Sequence, residues 1–270
     1  IGLEGMMLMG AFSSSLFVLL TGSLWQGILL SILCTLALGL VFSLFSVTLK
    51  SNFIITGFGI NLFASAFSSF ILKYMRLANI NVSSVVDVPA LKIHIPVLAD
   101  IPILGSLLSG HTPITYLSLL LILVVHVVLY KTKLGVYVRV VGENEEAARA
   151  VGINSAKIKY LAILIGALFC ALAGANLSTE RMALFTSNMT AGRGFIAIAA
   201  IYCGKAVPVR TTLYAVLFGL AKSLAINLGL VAGPISGLFE TVPYLAIVLV
   251  LFAVSAVETK NTRLRGFGHE

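Results

Sequence analysis

The sequence predicts an all-α membrane protein, a polytopic helical bundle of about eight transmembrane spans. Of its 270 residues, 59% are hydrophobic and only 10% are charged, whereas a soluble domain carries about 25% charged residues. The mean hydropathy is +1.06. The net charge of +8 comes from Lys and Arg gathered in a few loops, which is typical of membrane topology. Nucleic acid is therefore not an expected partner.

Seven good spans and one short one are predicted, because about 20 apolar residues in a helix cross the hydrocarbon core. The predicted spans are residues 3–21, 25–48, 52–74, 114–130, 160–178, 194–207, 211–230 and 240–257, of which 194–207 is the short one. No soluble domain, internal repeat or low-complexity tract is evident. Residues 1–270 are therefore interpreted as a single transmembrane domain.

Basic residues set the expected orientation, because Lys and Arg are enriched in cytoplasmic loops. Counting spans puts three basic clusters on one side of the membrane, which we assign as cytoplasmic. Residue 1 and the C-terminus are expected on the same side. The clusters are residues 131–159, the turn with Lys205 and Arg210, and the tail with Lys260, Arg263 and Arg265.

The longest predicted external connection is residues 75–113. It holds four of the seven prolines, Pro89, Pro96, Pro102 and Pro113. It is also rich in Val, Ile and Leu, a composition that disordered segments lack. We expect this loop to be packed rather than disordered.

Residues 140–154 predict a short helix within the cytoplasmic segment 131–159. Glu143, Glu145 and Glu146 in the first turns favour the positive end of the helix dipole, and Gly152 is expected to cap the C-terminus. Its apolar face, formed by Ala147, Ala148 and Val151, is small and shallow. Such a face suits docking into a groove on another protein, although an ordinary connecting loop is the alternative.

The run Glu146-Ala147-Ala148, followed after three residues by Gly152, resembles the EAA motif by which ABC importer permeases contact their ATPase subunits. Further stretches are similar, in the same order, to the ribose/branched-chain type of permease, in its nucleoside-uptake branch. They are Ile1-Gly2-Leu3-Glu4-Gly5-Met6-Met7-Leu8, Thr132-Lys133-Leu134-Gly135, Gly142-Glu143-Asn144, Asn188-Met189-Thr190-Ala191-Gly192-Arg193-Gly194-Phe195-Ile196-Ala197 and Val242-Pro243-Tyr244-Leu245. The run 202–208 departs from the pattern of that branch.

The resemblance implies a permease subunit of a bacterial inner-membrane importer for a nucleoside or a related ribose or simple-sugar solute. It implies partner ATPase subunits, a homologous permease or second copy as dimer, and an external substrate-binding lipoprotein, besides membrane lipids. Because no nucleotide-binding loop is present, ATP is expected to be used by the partner, and no cofactor is expected. Family members carry a further span before residue 1, so an N-terminal span is expected to be missing. The resemblance assigns ATPase coupling to Glu143, Asn144, Glu146, Ala147, Ala148 and Gly152.

Polar groups inside apolar spans mark the candidate solute path, because such groups are costly in lipid. Residues 180–194 predict a helix broken near the external side, whose free backbone groups can hydrogen-bond a polar solute. Pairing between helices is the structural alternative, and an ion pair between Glu4 and Arg193 is one form of it. The candidate residues are Glu4, Asn61, Asn188, Thr190 and Arg193.

A secondary transporter or channel independent of an ATPase is the alternative function, with Glu4 and Arg193 as its membrane charges. A membrane-embedded enzyme ranks third, because no nucleophile, base and orienting acid recur in a recognisable arrangement. No catalytic residue is assigned. Cys34, Cys170 and Cys203 lack the spacing of a zinc site, so no metal ligand is assigned either.

Overall fold

The computed structural model describes residues 1–93, 109–231, 241–242 and 244–252. Two π-helical turns, Leu44–Thr48 and Asn176–Arg181, continue the α-helices that end at Ser43 and Ala175, and residues 244–252 are also helical. The two strands are β1 (Asn79–Asn81) and β2 (Leu184–Thr186). The helices are α1 (Leu3–Thr21), α2 (Leu24–Ser43), α3 (Phe53–Tyr74), α4 (Pro113–Lys131), α5 (Lys133–Glu143), α6 (Glu145–Ala150), α7 (Ser155–Ala175), α8 (Arg193–Cys203) and α9 (Pro208–Val231).

Six helices in the described ranges are long and apolar enough to cross a membrane. They coincide with six of the predicted spans, and the predicted short span corresponds to the shorter apolar helix α8. The eighth predicted span, 240–257, lies partly outside the described residues. Residues 94–108 of the long loop and the basic tail lie wholly outside them. The six helices are Leu3–Thr21, Leu24–Thr48, Phe53–Tyr74, Pro113–Lys131, Ser155–Arg181 and Pro208–Gly229.

Helix α1 is the most buried of these helices, because small residues let its neighbours approach its backbone. A Cβ atom on Gly174 of α7 would lie 2.3 Å from the Met7 carbonyl oxygen, and one on Gly10 would lie 2.8 Å from Ala171 Cα. Ser31 Oγ of α2 donates a hydrogen bond to the Gly10 carbonyl at 2.9 Å. Close approach at small residues and hydrogen bonds between helices are what hold helices together in lipid, where apolar burial contributes little.

Part of the described loop after α3 packs against the core. Strand β1 pairs with β2 in antiparallel register, with Ile80 opposite Phe185. The side chains of Ile80, Val82 and Phe185 are fully buried beside Phe12 of α1. Within residues 75–93 the loop is thus anchored in the core by Ile80, Val82 and Val86, whereas most of the other side chains are exposed and the strand pairing itself was not predicted. Three-residue strands are too short to leave a periodic signal in a sequence.

The chain divides into two compact units, Ile1–Gly194 and Phe195–Glu270. In the first unit, the core lies between α1, its neighbouring helices and the β1–β2 ladder. In the described part of the second unit, Ile196, Ala200, Cys203 and Phe218 form a small core against Tyr214, Ile247 and Val250.

Candidate functional site

Glu4, near the start of α1, is buried against a backbone segment far along the chain. Its side chain is 8% exposed. Oε1 accepts a hydrogen bond from the Gly192 amide at 2.9 Å, and Oε2 accepts one from the Gly194 amide at 2.5 Å. These amides lie at the first turn of α8, where helix N–H groups lack intrahelical partners and the helix dipole favours negative charge. Glu4 therefore caps α8 from another helix.

Glycine is required at position 194 for this contact. A Cβ atom there would lie 2.6 Å from both the Cα and the amide nitrogen of Glu4, and 2.7 Å from Glu4 Oε2. The backbone of α1 is thus in direct contact with the start of α8, and no space remains between the two for another side chain.

Arg193 closes the turn that precedes α8. Its Nη1 donates hydrogen bonds to the carbonyl oxygens of Met189 at 2.9 Å and Thr190 at 3.1 Å. Its backbone amide also donates to the Thr190 carbonyl, at 3.0 Å. The suggested ion pair between Glu4 and Arg193 is wrong, because each charged group is engaged by backbone atoms instead.

The break predicted within residues 180–194 is present. The helix that begins as α7 ends in its π-helical turn at Arg181, and α8 begins at Arg193. Between them, Asn188, Ala191 and Gly192 have φ angles of +56°, +44° and +78°, in the left-handed region that non-glycine residues rarely adopt. Asn188 is exposed, whereas Thr190 is fully buried and its Oγ1 has no hydrogen-bond partner among the described residues. A buried hydroxyl without a partner is rare and destabilising.

Asn61 of α3 holds the start of α1. Its Oδ1 accepts a hydrogen bond from the Gly5 amide at 2.7 Å, and its Nδ2 donates to the Ile1 carbonyl at 3.2 Å. A Cβ atom on Gly5 would lie 2.7 Å from Asn61 Cα, so α1 and α3 also touch at the backbone here. The half-buried Asn61 thus pairs helices, as the structural alternative expects.

The five candidate solute-path residues are connected by hydrogen bonds to intervening backbone atoms and by a shared turn. Asn61 contacts the first residues of α1, Glu4 contacts Gly192 and Gly194, and Arg193 contacts Thr190. Asn188 lies in the same turn as Thr190. The sequence placed Asn188, Thr190 and Arg193 in one segment and suggested that Glu4 lies near Arg193, whereas only the fold connects them to Asn61 through the start of α1. We call this group the turn site: Glu4, Asn61, Asn188, Thr190 and Arg193.

Glu180 forms a second buried cap that the sequence did not assign. It is fully buried, and its two carboxylate oxygens lie 3.2 and 3.4 Å from the Ile114 amide at the start of α4. Asn176 Nδ2 donates to Glu180 Oε2 at 2.8 Å. Pro113 at the first position of α4 and an acid inside an apolar run were the only signals in the sequence. Glu180 stabilises α4 rather than the turn site.

The predicted cytoplasmic helix is divided into two helices. Glu143 ends α5 and does not lie in the first turn of α6, so the single-helix prediction for residues 140–154 is wrong at that point. Asn144 has an extended backbone and its side chain accepts a hydrogen bond from the Ala147 amide at 3.0 Å. An asparagine N-cap of this kind satisfies a free amide and starts a new helix. Glu143 and Asn144 are both exposed.

Gly152 ends α6 as predicted. Its φ is +80°, its amide donates to the Arg149 carbonyl, and the Ile153 amide donates to the Ala148 carbonyl, both at 3.0 Å. This is the Schellman pattern of a helix C-terminus. The turn buries Ala148 completely, so the predicted apolar face is only partly available.

Besides the exposed Arg149 and Ala150, the surface that α6 presents outward contains three residues, Glu146, Ala147 and Val151. All three are exposed, and Val151 is 73% exposed. Ala148 follows Ala147 by about 100° around the helix axis, and its side chain is buried in the chain. The exposed outer face therefore combines one acid with a small apolar pair one turn apart.

Glu145 connects α6 to α7, a role that the sequence did not indicate. Its carboxylate forms ion pairs with Lys159 of α7 and, at 2.6 Å, with Arg149 of its own helix. The hydrogen bond from Lys159, and secondly that from Arg149, lowers the pKa of the Glu145 carboxyl below its usual value. These pairs connect α6 to α7 and do not involve Glu146.

Comparison with known proteins identifies the relatives of this chain. The family described as "Branched-chain amino acid transport system / permease component" matches residues 1–254. The nucleoside ABC transporter permease protein NupC of Lactococcus lactis subsp. cremoris is 32% identical over 96% of this chain and 85% of its own length. The guanosine ABC transporter permease protein NupQ of Bacillus subtilis is 34% identical over 90% of this chain and 76% of its own length.

An archaeal relative has a sugar in its name. The putative glucose ABC transporter permease protein TsgC13 of Haloferax volcanii is 32% identical over 98% of this chain and 85% of its own length. No solved structure gives a significant match to this chain.

Proposed function

The chain belongs to the branched-chain amino acid transport system permease family and is the permease subunit of an ABC importer, and on this premise we propose that its solute is a nucleoside. Two of the relatives are named for a nucleoside or guanosine, at 32% and 34% identity. A simple sugar is the second candidate, supported by the relative named for glucose. Both solutes are uncharged and rich in hydroxyl groups.

The turn site suits an uncharged polar solute. The exposed Asn188 carries an amide that donates and accepts hydrogen bonds, and the buried Thr190 in the same turn carries a hydroxyl without a partner among the described residues. Arg193 and Glu4 are engaged by backbone atoms and so do not offer a free charge. The same observation disfavours a proton-coupled carrier without an ATPase, because that alternative relied on Glu4 and Arg193 as membrane charges.

The outer face of α6 is the proposed contact with the partner ATPase. Ala147 and Val151 are small enough to enter a groove, and Glu146 adds a negative charge at its edge. The capped ends at Asn144 and Gly152 and the ion pairs of Glu145 keep this short helix formed without its partner. Movement of the ATPases would then be transmitted through α6 to α7.

The orientation and assembly follow as part of this proposal. Residues 131–159 and the C-terminus face the cytoplasm of a cell whose plasma, or inner, membrane holds the protein. The chain pairs with a homologous permease or a second copy, docks two ATPase subunits, and receives solute from an external binding lipoprotein. The single observation that carries the importer assignment is the family match over residues 1–254.

The coupling proposal is tested by reversing charge and adding bulk on α6. In the assembled importer, Glu146→Arg combined with Gly152→Trp is expected to abolish uptake of radiolabelled guanosine and solute-stimulated ATP hydrolysis. Asp87→Arg, at an exposed acid in the long loop, is the matched control and is expected to leave both unchanged. Normal uptake by the α6 double variant would contradict ATPase docking at this helix.

The solute-path proposal is tested by alanine substitutions of Asn188 and Thr190. Each is expected to lower guanosine uptake while the association of the chain with the ATPase, measured by co-purification, stays normal. Competition of labelled guanosine by unlabelled glucose distinguishes the two solute candidates. Normal uptake by both variants would remove these residues from the path.

A further inference from the structure

We propose that Glu4 is the positioning residue of the solute path: it holds the turn that carries Asn188 and Thr190 and does not itself contact the solute. This inference rests on the proposed function, since it assumes that this turn meets the solute, through the exposed side chain of Asn188. It assigns Glu4 and the other members of the turn site different roles.

The carboxylate of Glu4 is enclosed by protein. Each of its two oxygens accepts a hydrogen bond from a backbone amide, and the side chain is 8% exposed. The backbone contact with Gly194 leaves no room for a solute group beside it. A carboxylate in this setting stabilises the local backbone, because charge-assisted hydrogen bonds to buried amides are stronger than neutral ones.

The two anchored amides flank Arg193. With Gly192 and Gly194 held by Glu4, the Arg193 side chain reaches back to the carbonyls of Met189 and Thr190 and closes the turn. Without the anchor, the end of the left-handed stretch at Gly192 and the following Gly194 would lose their two hydrogen bonds to Glu4, and only the contacts within the turn would hold the left-handed backbone. Such conformations persist only where the surroundings determine them. The position of the Thr190 hydroxyl therefore depends on Glu4.

The first residues of α1, which carry Glu4, are themselves held by neighbouring helices. Asn61 binds the backbone at both Ile1 and Gly5, on either side of Glu4. Farther along α1, small residues bring the backbones of α1 and α7 into contact. Glu4 thus belongs to the most buried of the long helices in the described residues.

Glu180 provides a matched control within the same chain. It is also a buried glutamate on one element that accepts the amide at the start of another helix. Its partner, Ile114, belongs to α4 and has no contact with the turn site among the hydrogen bonds of the described residues. Glu4→Gln and Glu180→Gln remove the same charge and should disturb only the segment that each carboxylate holds.

Hydrogen exchange of the full-length chain in lipid nanodiscs tests the geometry. Glu4→Gln is expected to speed amide exchange in residues 187–195 by about tenfold, because the glutamine has one acceptor oxygen and keeps one of the two hydrogen bonds from the backbone amides. Glu180→Gln is expected to speed exchange only in residues 112–118. Unchanged exchange in 187–195 for Glu4→Gln would overturn the inference.

Transport stoichiometry of the assembled importer tests the role. Glu4→Gln is expected to lower the guanosine moved per ATP hydrolysed by about threefold or more, a typical range for a perturbed coupling. Glu180→Gln should leave this ratio unchanged, even if it lowers the amount of folded protein. A proportional fall of uptake and ATP hydrolysis in Glu4→Gln would mean a structural role alone and would overturn the inference.

A second variant covers the case in which Glu4→Gln does not fold. Glu4→Asp keeps the charge but draws it back by one methylene, and it is expected to give smaller changes in the same direction in both measurements. No change in either measurement with Glu4→Asp would count against positioning. Failure of the proposed function is a separate result, because the unaltered chain would then show no solute-stimulated ATP hydrolysis while the exchange data still report on Glu4.

Discussion

The turn site and the coupling segment α5–α6–α7 both depend on a glutamate, but they use it in opposite ways. Glu4 is buried in the apolar part of the chain and binds two backbone amides. Glu145 is partly exposed to solvent, with 33% of its side chain accessible, and binds two cationic side chains. Water competes with the second kind of contact and not with the first. The difference teaches that burial, more than residue type, decides how much each carboxylate contributes to stability.

The largest effect is expected from removing the buried carboxylate. Glu4→Ala leaves the amides of Gly192 and Gly194 without an acceptor, which should lower the free energy of unfolding by about 3 kcal/mol. Thermal unfolding of the detergent-solubilised chain, followed by size-exclusion chromatography, measures this. A Glu4→Ala protein as stable as the unaltered chain would erase the contrast between the two regions.

A somewhat smaller loss is expected when bulk is added at the same contact. Gly194→Ala forces the backbones of α1 and α8 apart, because the new Cβ would lie 2.6 Å from Glu4 Cα. We expect a destabilisation of about 2 kcal/mol, as for overpacked cores. The control is Gly142→Ala in α5, where nothing lies within 4 Å of the new Cβ. The control should be neutral or slightly stabilising, and equal losses in both variants would contradict the close contact.

In the coupling segment, loss of a helix cap should have a moderate and local effect. Asn144→Ala removes the acceptor of the Ala147 amide and is expected to cost about 1 kcal/mol, mostly as fraying of α6. Hydrogen exchange in residues 145–151 measures the fraying. Asn144→Ser keeps a capping oxygen and should restore slow exchange, and failure of Ser to do so would show that the cap is not the cause.

The smallest effect is expected from the exposed ion pairs. Glu145→Gln should barely change the unfolding temperature at pH 7, and its effect should vanish in high salt, which screens exposed charges. Because the pKa of Glu145 is lowered from its usual 4.5, the pairs contribute fully above that pH and are lost as the pH falls through the lower folded-state value. A large salt-independent destabilisation would place Glu145 with the buried caps.

Several features could be predicted from particular residues. The apolar runs located six helices of the described chain, since their length and composition alone meet the requirement of the bilayer, and they also located the shorter apolar helix α8. Gly152 was correctly expected to end α6, because its left-handed conformation is a local property. The division of residues 140–154 at Asn144 was not predicted. The neighbouring residues allow Asn144 either to continue a helix or to cap the start of a new one, so the local sequence does not decide between the two.

The sequence by itself determined membrane residence, the positions of most spans, the helix break before Arg193 and the choice of polar candidates. These follow from local composition and from the cost of polar groups in lipid. Only the tertiary structure decided what those polar groups contact: Glu4 holds Gly192 and Gly194, Asn61 holds the start of α1, and Glu180 holds α4. The partners of Glu4 are 188 and 190 residues away in sequence, and no local pattern encodes which distant amide a buried carboxylate will meet.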